Sequence, residues 1–179
     1  MFTVGPEPLG NLLDINMKQK YVDMYMDWAK RVAQCSHAIR LKVGAVIVKD
    51  NHVTYGYNGM PSGWDNGCET KEYCLSKDIN GNYFPGTDDE YPLEDNYGKY
   101  RLKTNPQVLH AESNAISKLA RSTESGINAD IFITHAPCLD CAKLIYQSGI
   151  KRVYFGTAYR STAGIEFLEK SGVTVTQVK

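Results

Sequence analysis

The sequence has no excess of either charge: Lys and Arg number 20, and Asp and Glu number 20. A balanced chain has no general electrostatic pull toward a phosphate backbone or an anionic bilayer. Composition therefore offers no case for wrapping duplex nucleic acid or for a polybasic membrane surface, although a local basic patch is compatible with it. No apolar run approaches the roughly 20 residues of a membrane-spanning helix, so no membrane association is expected. The first sixteen residues, MFTVGPEPLGNLLDIN, lack a basic segment followed by an apolar stretch, and a secretory signal is not expected. Nor is there a repeat at solenoid periods. Cysteine is scarce and odd in number: Cys35, Cys68, Cys74, Cys138 and Cys141. Such a set without an export signal reads as reduced thiols in the cytoplasm, where cysteines at metal spacing are ligands more often than bridges.

What is present is an ordinary globular composition, 42% hydrophobic and 22% charged over 179 residues. A chain of this length buries about 68–70% of its unfolded surface and needs no disulfide staples. Residues 1–16, with Gly5, Pro6, Pro8 and Gly10, read as an irregular arm, and residues 17–179 as one domain. Asn16 is placed to cap a helix from about Met17 to Cys35, with Tyr21, Val22, Tyr25, Trp28, Ala29, Val32 and Ala33 at helical spacing. Val43–Val48 fits a buried strand, Asp50-Asn51 a hairpin turn, and Val53–Tyr57 the returning strand. After Pro106 the pattern predicts a helix over His110–Ala120, a strand over Ile131–Thr134 and a helix over Cys138–Gln147. A strand over Val153–Gly156, a helix over Thr162–Lys170 ended by Gly172, and a last strand over Val173–Val178 follow. Helix, hairpin, then alternating strand and helix imply a layered α/β fold with a mixed sheet. Residues 68–105 interrupt it. They hold six aromatics, eight acids and five bases, with turn signals at Asn80-Gly81, Pro85-Gly86 and Asn96–Gly98. A structureless loop of that length is rare in a compact domain. The segment reads as an insertion that packs on something, either its own sheet or a neighbouring subunit.

Two short segments carry chemistry: His110-Ala111-Glu112 and Pro137-Cys138-Leu139-Asp140-Cys141. The pattern H-x-E followed by P-C-x-x-C is the signature of zinc nucleobase deaminases. One imidazole and two thiolates are a donor set suited to zinc. Cys138 and Cys141 stand three residues apart, so one helical turn brings both sulfurs to one face, at the helix end whose dipole favours anionic thiolates. Three protein ligands leave the fourth tetrahedral position open for a water whose pKa zinc lowers to about 7. Glu112 is not on the face of His110; it can take that water's proton and pass it on rather than bind the metal. The competing readings of Pro-Cys-x-x-Cys are a redox dithiol, which leaves His110 and Glu112 idle, and a zinc ribbon, which needs a second Cys-x-x-Cys that is missing.

Gly56-Tyr57-Asn58-Gly59-Met60-Pro61-Ser62-Gly63, with Val43-Gly44-Ala45-Val46 before it and His110-Ala111-Glu112-Ser113-Asn114-Ala115 after it, resembles the deoxycytidylate (dCMP) deaminase family. Cys141-Ala142-Lys143-Leu144-Ile145 and Gln147-Ser148-Gly149-Ile150-Lys151 resemble it as well, so the likeness covers roughly residues 20–64 and 106–178. The resemblance implies a cytidine-deaminase-like three-layer α/β/α sandwich on a mixed five-stranded sheet. It implies hydrolysis of dCMP to dUMP and ammonia, feeding thymidylate synthesis in the cytoplasm. It also implies a homohexamer activated by dCTP and inhibited by dTTP, each carried with Mg²⁺. Matched residue by residue, His110, Cys138 and Cys141 are one zinc site, and Glu112 is the proton shuttle. Asn58, Ala111 and Tyr159 fall at substrate positions. Tyr57, Asn58, Gly59 and Arg121 fall at the effector site. The phosphate needs a cation, and Arg40 and Lys42 are the candidates. Other substrates remain open: dCTP, a free base, or adenosine in tRNA, the last disfavoured by the lack of a basic excess. A non-catalytic zinc module is disfavoured by Glu112 beside an open metal position.

The sequence departs from the family twice. Some phage-type relatives hold a second, structural zinc between the insertion and the first helix. Here Cys35, His37, His52, Cys68 and Cys74 are at hand but do not align with its four ligands, and buried thiols are the simpler reading. His135 stands where the family has an apolar residue, and reads as a hydrogen-bonded support or surface group rather than a ligand.

Overall fold

The computed structural model describes residues 17–74 and 89–179. In chain order the elements are α1 (Gln19–Ala33), β1 (Gly44–Lys49), β2 (His52–Tyr57), β3 (Glu69–Tyr73), β4 (Leu93–Asp95), β5 (Gly98–Thr104) and α2 (Ala111–Ala120). They continue with β6 (Asp130–His135), α3 (Leu139–Gln147), β7 (Arg152–Thr157), α4 (Ala163–Lys170) and β8 (Thr174–Gln177).

β1 and β2 form a hairpin in which Lys49 faces His52. The two-residue turn between them is the expected Asp50-Asn51, with Asp50 at a φ of 50°. β1 also pairs antiparallel with β6, while β6, β7 and β8 run parallel, giving a mixed five-stranded sheet in the order β2-β1-β6-β7-β8. Alternation along a strand divides its side chains between the two faces. On one face Val46, Val48, Phe132 and Tyr154 pack against Val22, Met26, Ala29 and Val32 of α1. On the other, Ala45, Ile47, Ile131, Ile133 and Val153 pack against Ala111, Ala115 and Leu119 of α2, Ala142 and Ile145 of α3, and Leu168 of α4. The result is the expected three-layer α/β/α arrangement. Covered on both sides, β1 and β6 read as continuous apolar runs.

The elements differ from the sequence expectation in detail. Lys18 occupies the start position of α1; Asn16 and the arm at 1–16 lie outside the described residues. Met26 is a core residue of α1, whereas Tyr21 and Trp28 flank the buried stripe and are 43% and 40% exposed. α2 and α3 each begin one residue late, because His110 and Cys138 are extended and stand as the N-caps. α4 ends in a Schellman turn: the Val173 N–H donates to Leu168 O and the Gly172 N–H to Glu169 O, with Gly172 at a φ of +80°.

The described part of the insertion builds its own antiparallel sheet, in the order β3-β5-β4. Its rungs run from Glu69 opposite Thr104 to Tyr73 opposite Tyr100, and from Leu93 opposite Tyr100 to Asp95 opposite Gly98. Charge pairs hold the rungs: Arg101 with Glu72 at 2.6 Å, and Lys71 with Asp95. The Tyr73 ring packs on Tyr100 and Tyr97. The turn expected at Asn96–Gly98 joins β4 to β5, with Gly98 at a φ of 119°. The turns expected at Asn80-Gly81 and Pro85-Gly86 lie outside the described residues.

Candidate functional site

The chain places its metal-type donors at the starts of two helices. His110 precedes α2 and Cys138 precedes α3; both are extended N-caps, and neither makes a side-chain cap bond. Cys141 lies in the first turn of α3. His110 Nδ1 is 3.3 Å from Cys141 Sγ and 3.6 Å from Cys138 Sγ, and the three donor atoms lie within 4.8 Å of one another. Imidazole and thiolate at this separation form a set into which a tetrahedral zinc fits. Among the described residues this is the one such group. Cys68, considered for a second site, is instead buried with Ala38 and Val108 against Met60, and Cys35 is exposed.

Several contacts hold the donors. Gly59 and Leu109 exchange backbone hydrogen bonds at 3.1 and 2.9 Å, fixing the residue before His110. Asn114 Nδ2 donates to Tyr57 O at 2.8 Å and ties α2 to the end of β2. The Ala136 N–H donates to Thr157 O, and α4 lies directly on the Pro137-Cys138 turn. A Cβ on Gly164 would stand 2.1 Å from Pro137 O. Electrostatically the donors share protons. The Cys138 thiol, hydrogen-bonded by Cys141 and His110, is pushed down to about 4. Cys141 is pushed up by its bond to Cys138 and by burial. Hydrogen bonding to Cys138 raises His110. Glu112 is buried in the first turn of α2, and burial holds its carboxyl above the usual range.

His110, Cys138 and Glu112 open on a cavity of about 440 Å³. Its walls come from four places: Arg40, Leu41 and Val43 ahead of β1; Asn58 after β2; Glu69 and Thr104 of the appended sheet; and Ala158, Tyr159 and Arg160 after β7. Val108, His110, Ala111, Glu112, His135, Ala136 and Cys138 complete it. The cavity thus gathers Asn58, Ala111, Tyr159 and Arg40 around the candidate metal site. Lys42 and Arg121, the latter the C-cap of α2, are exposed, Tyr57 and Gly59 are half-buried, and all four lie outside the lining. The amide of Asn58 is already partly engaged. Its Oδ1 accepts the Val43 N–H at 2.8 Å and its Nδ2 donates to Leu41 O at 2.9 Å, leaving one N–H and one lone pair free of these bonds. His135 is half-buried, and burial lowers its pKa. Thr134 Oγ1 accepts the Gly44 N–H and lies 3.1 Å from His135 Nδ1.

Sequence reasoning did not pick out Arg160, Glu69 or Thr104. Arg160 adjoins Tyr159 and was legible only as its neighbour. The other two lie on strands of the insertion whose pairing no short motif announces.

A family model described as the cytidine and deoxycytidylate deaminase zinc-binding region matches residues 17–157. The deoxycytidylate deaminase of Enterobacteria phage T4 is 35% identical over 162 residues, spanning 82% of this chain and 84% of that protein. ComE operon protein 2 of Bacillus subtilis is 32% identical over 157 residues, spanning 87% of this chain and 69% of that protein. The crystal structure of a dCMP deaminase from the cyanophage S-TIM5, in complex with dCMP and dUMP, is similar with a TM-score of 0.71. It shares 38% identity and covers 91% of this chain and 100% of its own.

Proposed function

The chain belongs to the cytidine and deoxycytidylate deaminase family, and we propose from this premise that it hydrolyses dCMP to dUMP and ammonia. The observation that carries the reading is one cavity in which His110, Cys138 and the buried Glu112, with Cys141 beside the first two, meet cationic walls at Arg40 and Arg160. A pyrimidine nucleotide has the matching halves: an amino-bearing ring and a phosphate.

In this reading His110, Cys138 and Cys141 hold one zinc per chain. Bound there, zinc supplies a Lewis acid and makes water a nucleophile near neutral pH. Glu112 takes the proton from the attacking water and delivers it to the ring nitrogen beside the target carbon. It then carries a proton to the amino group, which leaves as ammonia while the water oxygen stays on the ring. Burial, which raises its pKa, suits a carboxyl that must both accept and release a proton. The Ala111 N–H, in the first helical turn where no intrahelical acceptor exists, is offered to the pyrimidine carbonyl. Tyr159 stacks beside the base, the remaining Asn58 N–H meets the sugar hydroxyl, and Arg40 and Arg160 meet the phosphate, with Lys42 adding charge from outside the wall.

The reading extends to control. dCTP with Mg²⁺ activates and dTTP with Mg²⁺ inhibits, through a site formed by Tyr57, Asn58, Gly59 and Arg121 between subunits of a homohexamer. What supports this is the bridge from Gly59 to Leu109. A ligand that shifts residues 57–59 pulls on the residue before His110, and a coupling of about 1–3 kcal/mol is within the ordinary range. The enzyme then supplies dUMP for thymidylate synthesis in the cytoplasm. No helix among the described residues is long and apolar enough to cross a membrane. The test is ammonia release from dCMP, dCTP and cytidine side by side, with metal analysis. One zinc per chain and a strong preference for dCMP are expected; a preference for cytidine would overturn the nucleotide assignment. Saturation curves with dCTP and dTTP, on wild type and Arg121→Glu, test the control.

A further inference from the structure

We infer that the appended sheet takes part in nucleotide recognition, with Glu69 and Thr104 acting as positioning residues that fix Arg40 for the 5′-phosphate. The inference rests on the dCMP reading above. Residues 37–43, between α1 and β1, have no helix or strand of their own, and Ile39 is 76% exposed. Packing alone therefore does not hold Arg40. Two groups of the insertion do. The Glu69 carboxylate accepts the Ile39 N–H at 3.1 and 3.2 Å and the Arg40 N–H at 3.1 Å. Thr104 Oγ1 accepts Arg40 Nη1 at 2.9 Å. Glu69 and Thr104 are direct partners across β3 and β5, so one rung of the sheet grips both the backbone and the guanidinium of Arg40.

That rung is itself anchored. Next to it the Asn105 N–H donates to Cys68 O at 2.9 Å and Asn105 Nδ2 to Gly67 O at 2.7 Å, and Cys68 is buried against Ala38 and Val108. A guanidinium has five N–H groups; with one spent on Thr104, the rest of the fork can meet an anion. Holding it in place beforehand removes the ordering cost that a loose arginine meets on binding. Glu69 carries the wrong sign to meet a phosphate itself. Its negative charge is directed at two backbone N–H dipoles.

The test is a mutant cycle on the full chain, with zinc content and melting temperature recorded for each variant. Turnover of dCMP is compared with that of deoxycytidine, which lacks the phosphate. Glu69→Ala should lower kcat/KM for dCMP about tenfold, mainly through KM, and reduce the preference over deoxycytidine by the same factor. Thr104→Val should do so to a smaller extent, and Glu69→Gln, which keeps one acceptor oxygen, should recover part of the loss. Adding Glu69→Ala to Arg40→Ala should cost nothing further. Equal losses on both substrates, an additive double variant or no loss at all would overturn the inference. If the wild type fails to deaminate dCMP, the proposed reaction falls by that result alone. The cycle is then read in dCMP binding by calorimetry, where additivity or absence of binding would overturn the positioning role as well.

Discussion

Replacing Gly164 by alanine adds a single methyl group, yet it should strike the metal site from the far side of the Pro137-Cys138 turn. The added Cβ would lie 2.1 Å from Pro137 O and 3.0 Å from Cys138 C and O. Real Cβ atoms are not found closer than 3.0 Å to such neighbours, so the turn or α4 must move by 0.9 Å or more. Neither side can give cheaply, because both are backbone. Overpacking of this kind costs about 1–3 kcal/mol, and the better helix propensity of alanine returns about 0.5–1 kcal/mol. The net loss, about 0–2.5 kcal/mol, is a fall of up to about 10 °C in melting temperature for a domain of this size. The larger effect is on metal. Metal–ligand distances hold to about 0.2 Å, and the clash falls on Pro137 O, one residue before the Cys138 donor. Zinc affinity, measured by competition with a chromophoric chelator, should fall by about tenfold or more. Gly172→Ala is the control. Gly172 has a φ of +80° and nothing within 4 Å of an added Cβ, so alanine there should cost about 1 kcal/mol and leave zinc affinity alone. A Gly164→Ala protein with wild-type zinc affinity, or a Gly172→Ala protein that loses zinc equally, would refute the reasoning.

Glu112→Gln should keep zinc and fold but lose about 100- to 10,000-fold in kcat on dCMP; a near wild-type rate would remove the proton-shuttle assignment. Asn58→Ala deletes two side-chain bonds to the Leu41–Val43 segment. It should therefore cost about 2 kcal/mol, or about 4–8 °C by calorimetry, as well as weakening nucleotide binding; an unchanged melting temperature would show those bonds to be idle. Asp130 lies opposite Arg152 and bonds to it, yet burial still raises its carboxyl above 3.8. The folded state thus binds that proton more tightly than the unfolded chain, and ionisation removes stability as pH rises from 3.8 through the raised value. Asp130→Asn, which cannot ionise, should gain on wild type over that interval when melting temperatures are compared from about pH 3.5 to 7. A gap widening in favour of the wild type would mean that the ion pair, not burial, governs Asp130.

The parts of the molecule that were legible in advance are those where chemistry or period is local. Cys138 and Cys141 fall on one helical turn, and β1 announces itself by five consecutive buried residues. The Asp50-Asn51 turn sits between two runs of strand type. His110 was legible only through its pairing with a distant motif. A sheet in the insertion was one of two expectations, but its strands, ETKEY and GKYRLKT, could not be placed because they are polar and are held by charge pairs and tyrosine contacts rather than an apolar face. The rungs between β3 and β5 join residues some thirty positions apart, and no local rule fixes that register. The same holds for Glu69 and Thr104 at Arg40, and for the amide of Asn58, whose bonds to residues 41 and 43 exist only once the hairpin has closed.

His110 and Cys138 occupy the two positions where a helix gains most from serine, threonine, asparagine or aspartate, and neither provides that bond. At both sites the interests of folding and of function are opposed. Ser or Asn there would cap the helix and add about 1 kcal/mol to the metal-free chain, while removing a donor that nothing else in the cavity replaces. A selection for thermal resistance alone, run without zinc, should therefore drift toward caps at 110 and 138 and dismantle the site while improving the fold. The chain as it stands trades the stability of two helix starts for the capacity to bind.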